Sequence, residues 1–247
     1  MGRRHVPQDA VAAVDAARAA GFEDVSVDLI LGWEGETAER WTAALEQLRR
    51  LAPDHVSLYV LEVDGRTVLS HRARRGALAL PDYLVADLYR RAVDTLAAAG
   101  LRRYEISNFA RPRRESRHNA KYWDDAPFLG FGLSAHSYRR GRRWWNRDTY
   151  AGYCRAVEAG GADAARAGER SLTDAERRAE ALFTGLRRDR GIDREAFHRR
   201  YGLDPLDEFG ARLADAFAAG LLETRDGVLR LTDDGVLVSN EVFRALV

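Results

Sequence analysis

The sequence predicts an α/β domain on a parallel sheet, followed by a smaller, mostly helical domain of winged-helix type. Three observations carry this. Two apolar, β-branched runs, residues 25–31 (VSVDLIL) and 55–61 (HVSLYVL), flank an amphipathic stretch from Thr37 to Leu51, and a connection of that length carrying a helix joins parallel neighbours by a right-handed crossover. Beyond the small-residue stretch AGGADAARAGERS, three helical patterns lead into a short hairpin and a last helix, the order of a winged helix. With 46% hydrophobic and 31% charged residues in a chain of 247, the composition is that of a globular protein able to bury a sizeable core.

Each element follows from its pattern. Pro7 suits the first position of a helix with Val11, Val14 and Ala17 on one face, closed by Gly21. Residues 25–31 read as a strand covered on both faces. Thr37 starts a helix carrying Trp41, Leu45 and Leu48, ended by Pro53, and residues 55–61 form the next strand. A third helix over residues 81–99 stops at Gly100, and residues 103–107 alternate like a strand. After a helix over residues 149–159 comes a linker, then a T-x-x-E capping box, Thr173 to Glu176. The expected boundary lies near Gly168, giving domains 1–168 and 169–247. The second domain reads as helices to Arg187, over 194–201 and through Phe209, Leu213 and Phe217, a hairpin turning at Asp226-Gly227, and a last helix with Val238, Val242 and Leu246.

Charge and cysteine content exclude several functions. The net charge is +1, with Lys121 the single lysine, so no overall field draws nucleic acid, membrane or acidic substrates. Arginines and acids alternate along the C-terminal helices without a base-reading face, which favours a packing or partner-binding module over DNA binding. Cys154 is the only cysteine; it forms no internal disulfide and alone holds neither a multi-cysteine zinc site nor an iron–sulfur cluster. No apolar run approaches a membrane span and MGRRHVPQDA has no signal-peptide character, so a cytoplasmic protein is expected.

The chemistry concentrates in a few places. Asp28 interrupts an apolar strand whose C-terminal edge is where parallel α/β sheets and barrels meet ligands; its carboxylate can take the polar end of a cofactor or bond neighbouring backbone. Gly32 and Gly35 around Trp33 imply a tight loop. In H-N-x-x-Y-W, His118 and Tyr122 share a face if the stretch is helical. Imidazole and phenolate are both haem-iron ligands, and Trp123 offers a flat apolar surface; equally, His118 and Asn119 can pin a loop while the aromatics fill core. Gly130, Gly132 and His136 imply backbone passing close to a ligand or another strand. The run Arg139, Arg140, Arg142, Arg143, Trp144, Trp145 could grip carboxylates such as porphyrin propionates, although a solvated turn explains it as well.

On these residues the sequence resembles a known family. VDLILGWEGET, HVSLYVLEVDGRTVL, YEISNFARP, ESRHNAKYW and GFGLSAHSY are similar, in order, to segments of the radical S-adenosylmethionine proteins related to oxygen-independent coproporphyrinogen III oxidase (HemN), and H-N-x-x-Y-W points to their haem chaperone branch, HemW. The resemblance implies the C-terminal part of a partial (β/α)6 TIM-like radical barrel followed by a HemN C-terminal domain. It implies haem binding at His118 and Tyr122, S-adenosylmethionine binding at Asp28 and Arg3, and a role in haem trafficking. Trp33-Glu34 and Gly65-Arg66-Thr67 depart from the family pattern, which puts the shape of those cofactor-side loops in question.

The family's C-x-x-x-C-x-x-C and Gly-Gly-Thr-Pro segments have no counterpart here. The four-iron four-sulfur cluster expected of the full-length family therefore has no ligands in this chain, no catalytic residue is assigned, and radical chemistry by the chain alone is not expected. The expectation is a fragment, a truncated reading frame or half of a split protein, whose partners are haem or porphyrin, a haem acceptor protein and a chain supplying the missing barrel half. An oxidase fragment and a winged-helix module binding protein or nucleic acid are the alternative readings.

Overall fold

The computed structural model describes residues 6–33, 35–61 and 80–246. Helix α1 (Pro7–Ala19) has Pro7 in its first turn and Asp9 accepting from the Val6 amide at 2.9 Å, so proline and carboxylate together satisfy the start of the helix. Strand β1 (Ser26–Leu31) then pairs in parallel with β2 (His55–Val60), joined by α2 (Ala38–Leu51). Thr37 caps α2 by accepting from the Arg40 amide at 3.3 Å. Trp41, Leu45 and Leu48 of α2 are buried, and Trp41 Nε1 donates to the Leu88 carbonyl of α3 (Asp82–Ala98) at 2.9 Å. This strand, helix, strand unit is the one the periodicity predicts.

The third strand differs from expectation. Residues 103–107 are not one strand: the chain reverses between β3 (Arg102–Glu105) and β4 (Asn108–Ala110). The buried Glu105 carboxylate causes the reversal, accepting from the Ser107 amide at 2.9 Å and from Asn108 Nδ2. β4 inserts antiparallel between β2 and β3, giving the order β1-β2-β4-β3 and a mixed sheet. β1 stands at its edge. There Ser26 and Asp28 are exposed while Leu31 is fully buried, so the strand is covered on one face, not on both.

These elements belong to one compact unit, Met1–Ser116; Arg117–Val247 form the other. The second begins with α4 (Arg117–Trp123) and a sheet of β5 (His136–Arg139), β6 (Arg142–Asn146) and β7 (Arg166–Ser171), antiparallel in that order. The arginine run is thus a two-strand hairpin, not a solvated turn. Its turn, Arg140-Gly141, has φ of 49° and 81°, the primed geometry that matches strand twist. Nor is AGGADAARAGERS a linker. Helix α5 (Tyr150–Ala164) runs through it with a kink at Gly160 and Gly161, and β7 follows at once.

After β7 come α6 (Asp174–Leu186), β8 (Ile192–Asp193), α7 (Arg194–Tyr201), α8 (Pro205–Ala218), β9 (Leu222–Arg225) and β10 (Val228–Leu231). The sheet order β8-β10-β9 makes the winged-helix arrangement. Thr173 and Glu176 form the reciprocal capping box at the head of α6, at 3.2 and 2.8 Å, and Asp226-Gly227 forms the hairpin turn, with φ of 52° and 77°. The last helix is two short ones, α9 (Asp233–Leu237) and α10 (Ser239–Arg244). Leu182, Leu213, Leu229 and Leu246 are each at most 1% exposed and mark this unit's core. Residues 117–168, expected with the first domain, are grouped with this second unit; the carboxylates of Asp124 and Asp125 supply the ties.

Candidate haem-binding segment

The H-N-x-x-Y-W stretch is helical. On α4, His118 and Tyr122 stand one turn apart on one face, with Tyr122 Oη and His118 Nε2 hydrogen-bonded at 3.0 Å and their rings edge-on at 5.2 Å. Both side chains are exposed, Tyr122 at 37%. Neither fills core. Tyr122 packs edge-on against Phe128 at 4.6 Å, while Trp123 turns inward, its ring under the Arg187 guanidinium at 4.6 Å. His136 stacks on Trp145 at 5.9 Å, and Gly168 lets that indole lie against β7, since a Cβ there would meet it at 2.5 Å.

What holds α4 in place is the pair of acids that follows it. Asp125, its side chain 10% exposed, accepts from Arg200 Nη2 at 2.7 Å, Tyr201 Oη at 3.0 Å, Arg177 Nη2 at 3.3 Å and Tyr138 Oη. Asp124 accepts from Arg188 and, at 2.7 Å, Arg190. Burial first, and the Asp125 carboxylate after it, push the phenols of Tyr138 and Tyr201 above their ordinary range. Residues of β5, α6 and α7 thus converge on a dipeptide that sequence reasoning passed over. Its only local signal was two acids directly after the aromatic motif. Trp123, Asp124 and Arg200 also line a cavity of about 330 Å³ with Ile192, Phe197 and Tyr201.

The other predicted residues lie in the first unit. Asp28 is the third of six residues in β1, mid-strand instead of at the strand end, with its side chain on the open face that Ser26 shares. Next to that face, His55 is buried between Ser26 Oγ at Nδ1 and Tyr104 Oη at Nε2, each 2.9 Å away. Burial lowers the His55 pKa, with the Asp28 carboxylate pulling the other way. Glu36 staples the loop after β1, accepting from the amides of Gly32 at 2.8 Å and Trp33 at 3.3 Å. Arg3, Glu34 and residues 65–67 lie outside the described residues. Cys154 is a free, half-buried thiol of α5. Among the described residues, no group of three or more His, Cys, Asp or Glu is placed to hold a metal ion, and no helix is long and apolar enough to cross a membrane.

A mixed α/β sheet in one unit and a winged helix in the other make up an α/β fold with an appended C-terminal domain, the fold of a solved radical S-adenosylmethionine enzyme. The comparisons agree. Residues 172–238 match the HemN C-terminal domain. The fold is that of Escherichia coli coproporphyrinogen III oxidase (HemN), a radical SAM enzyme, with a TM-score of 0.78 at 21% identity over 99% of this chain and 59% of that one. The heme chaperone HemW of Bacillus subtilis is 33% identical over 100% of this chain and 65% of its own length, and that of Mycobacterium tuberculosis 35% identical over 100% and 61%. Over its whole length the chain is similar to these HemW proteins, and residues 172–238 to the HemN C-terminal domain. It spans a little under two thirds of the length of these curated relatives.

Proposed function

We propose that this chain is the haem-carrying part of a HemW-type chaperone, with His118 and Tyr122 holding the iron. The observation that carries the reading is the exposed, hydrogen-bonded imidazole and phenol on one face of α4, in a chain whose relatives at 33% and 35% identity are named heme chaperones. Exposed polar tips bonded only to each other do not stabilise a fold by much, and imidazole nitrogen and phenolate oxygen are donors that haem iron accepts. Haem here is cargo, to be passed to an acceptor protein. Asp28, on the open face of the sheet, and Arg3 are assigned to S-adenosylmethionine; that cofactor with a four-iron four-sulfur cluster supplies radical chemistry in the family, and a chain with one cysteine provides no ligand set for the cluster.

Titration with haem tests the reading. A Soret band should appear with the wild type and shift or weaken in His118→Ala and Tyr122→Phe; a spectrum indifferent to both substitutions sinks the assignment. Reconstitution with iron, sulfide and S-adenosylmethionine should release no methionine or deoxyadenosine, and turnover would restore the oxidase reading.

A further inference from the structure

The turn that follows α6 reads RRDRG and carries Arg188 and Arg190. The Gly191 amide closes it by donating to the Arg188 carbonyl at 2.9 Å. Gly191 holds a φ of 64°, and a Cβ there would lie 2.5 Å from the Leu229 carbonyl oxygen, so the turn requires glycine. Both arginines reach one atom: they donate to the same carboxylate oxygen, Oδ1 of Asp124. Together with Arg200 of α7 they line the cavity of about 330 Å³.

Positive charge is in excess at this cavity. Asp124, Asp125 and Asp193 line it against the three arginines, but Asp193 caps α7, accepting from the Ala196 amide at 2.7 Å. Asp125 is divided among Arg177, Arg200 and the phenols of Tyr138 and Tyr201. Four guanidiniums, of Arg177, Arg188, Arg190 and Arg200, thus share the two carboxylates of Asp124 and Asp125. Burial first, and the Arg190 charge after it, bring the Arg188 guanidinium down to about 10, as expected of cations crowded on too little anion. Arg190 spends only Nη2 on Asp124 and its side chain is 68% exposed. Arg188 Nε and Trp123 Nε1 are buried with no hydrogen-bond partner, a deficit of acceptors among the lining residues.

The rest of the lining is apolar and held in place. The rings of Phe197 and Tyr201 pack at 4.5 Å, Tyr201 Oη is anchored on Asp125 at 3.0 Å, and the Trp123 ring lies under Arg187. Aromatic walls with a few convergent polar groups are the pattern of a small-molecule site, whose volumes begin at roughly 300 Å³.

We propose that this cavity binds a small aromatic carboxylate, its ring among Trp123, Phe197 and Tyr201 and its carboxylate on the open guanidinium fork of Arg190. Guanidinium forks match a planar carboxylate, and the ring covers aromatic wall that a bare anion would leave uncovered. Neither His118 nor Tyr122 lines the cavity, so the assignment is independent of the haem reading.

Calorimetric titration of the full chain with naphthoate, with its neutral counterpart naphthamide and with inorganic phosphate tests it. Naphthoate should bind at a single site, and naphthamide and phosphate at least about tenfold more weakly. Arg190→Gln should weaken naphthoate about tenfold, as for losing a charge-assisted hydrogen bond, and leave naphthamide unchanged. Ala196→Leu puts a larger side chain at an exposed position of α7 that lines the cavity; it should remove binding of both while the melting temperature holds, and if that temperature falls, the Arg190→Gln comparison decides. Arg225→Gln, on β9 and outside the lining, should change nothing. Absence of naphthoate binding, or binding indifferent to Arg190→Gln and Ala196→Leu, overturns the proposal. Equal affinity for naphthamide removes the arginines from it, and phosphate bound as tightly as naphthoate removes the rings; either result overturns the aromatic carboxylate.

Discussion

Asp125→Ala removes the carboxylate shared by Tyr138, Arg177, Arg200 and Tyr201. The two arginines contribute little to the cost, because Arg200 is 47% and Arg177 30% exposed and water replaces a partially exposed ion pair. The phenols matter more. Each loses a hydrogen bond to a charged acceptor, worth about 1.5 kcal/mol. Asp125 also sits at φ 49°, where alanine adds about 1 kcal/mol of backbone strain. The expected loss is about 4 kcal/mol. Asp125→Asn, which tolerates that backbone and keeps an acceptor oxygen, should lose about half as much. Hydrogen exchange of peptides covering residues 117–138 reads these values locally, without assuming that both units unfold together. Asp124→Ala should cost less than Asp125→Ala, since the Asp124 side chain is 41% exposed against 10%. A loss under about 1 kcal/mol for Asp125→Ala would refute the reasoning and reduce the cluster to a surface ion-pair network.

Further outcomes follow from the same physical terms. The phenols of Tyr138 and Tyr201 are raised in the folded protein, so their contribution is full below the unfolded value of about 10 and is lost as pH rises through the folded values; chemical denaturation should show the second unit weakening in alkali, and Tyr201→Phe should flatten that slope. His55 is lowered: its contribution is present above the unfolded value of about 6.5 and lost as pH falls through the folded one. Denaturation of His55→Gln should therefore show a smaller loss between neutral and mildly acidic pH than the wild type; an equal slope removes His55 from the account. Gly168→Ala places a Cβ 2.5 Å from the Trp145 ring, which must move off β7 and disturb its stack on His136; near-ultraviolet circular dichroism should change, and an unaltered spectrum would show that the indole has room to shift.

The sequence made the apolar elements legible and the polar ones much less so. β1, α2, β2 and α3 announce themselves because their buried residues recur at the period of the element. The capping box at Thr173 and the turn at Asp226-Gly227 are local chemistry, readable from adjacent residues. β5, β6 and β7 were hidden. Arg142 and Arg143 look like a solvated charge run because Glu169 and Glu180, their partners, lie 27 and 37 residues on, and Arg140 takes a left-handed φ that sequence patterns reserve for glycine or asparagine. RAGERS carries no apolar alternation. Its half-buried positions, Arg166 and Gly168, serve an ion pair and the Trp145 ring. His118 and Tyr122 were legible as a pair through helical spacing; their exposure was not, nor was the reach of Asp124 and Asp125 to arginines and a tyrosine 52 to 76 positions away along the C-terminal chain.

Helix α4 has seven residues, well short of the length at which a peptide holds helical form by itself in water. The distance between His118 and Tyr122 is therefore borrowed from the rest of the unit. A synthetic peptide carrying residues 115–126 would have the whole motif and none of its geometry, and grafting those six letters onto another scaffold would transplant a spelling without the clamp that gives it shape. Conversely, any event that pulls Asp125 away from its partners would let the turn unwind and part the imidazole from the phenol, so the spacing of that pair is set by a carboxylate that touches neither of them.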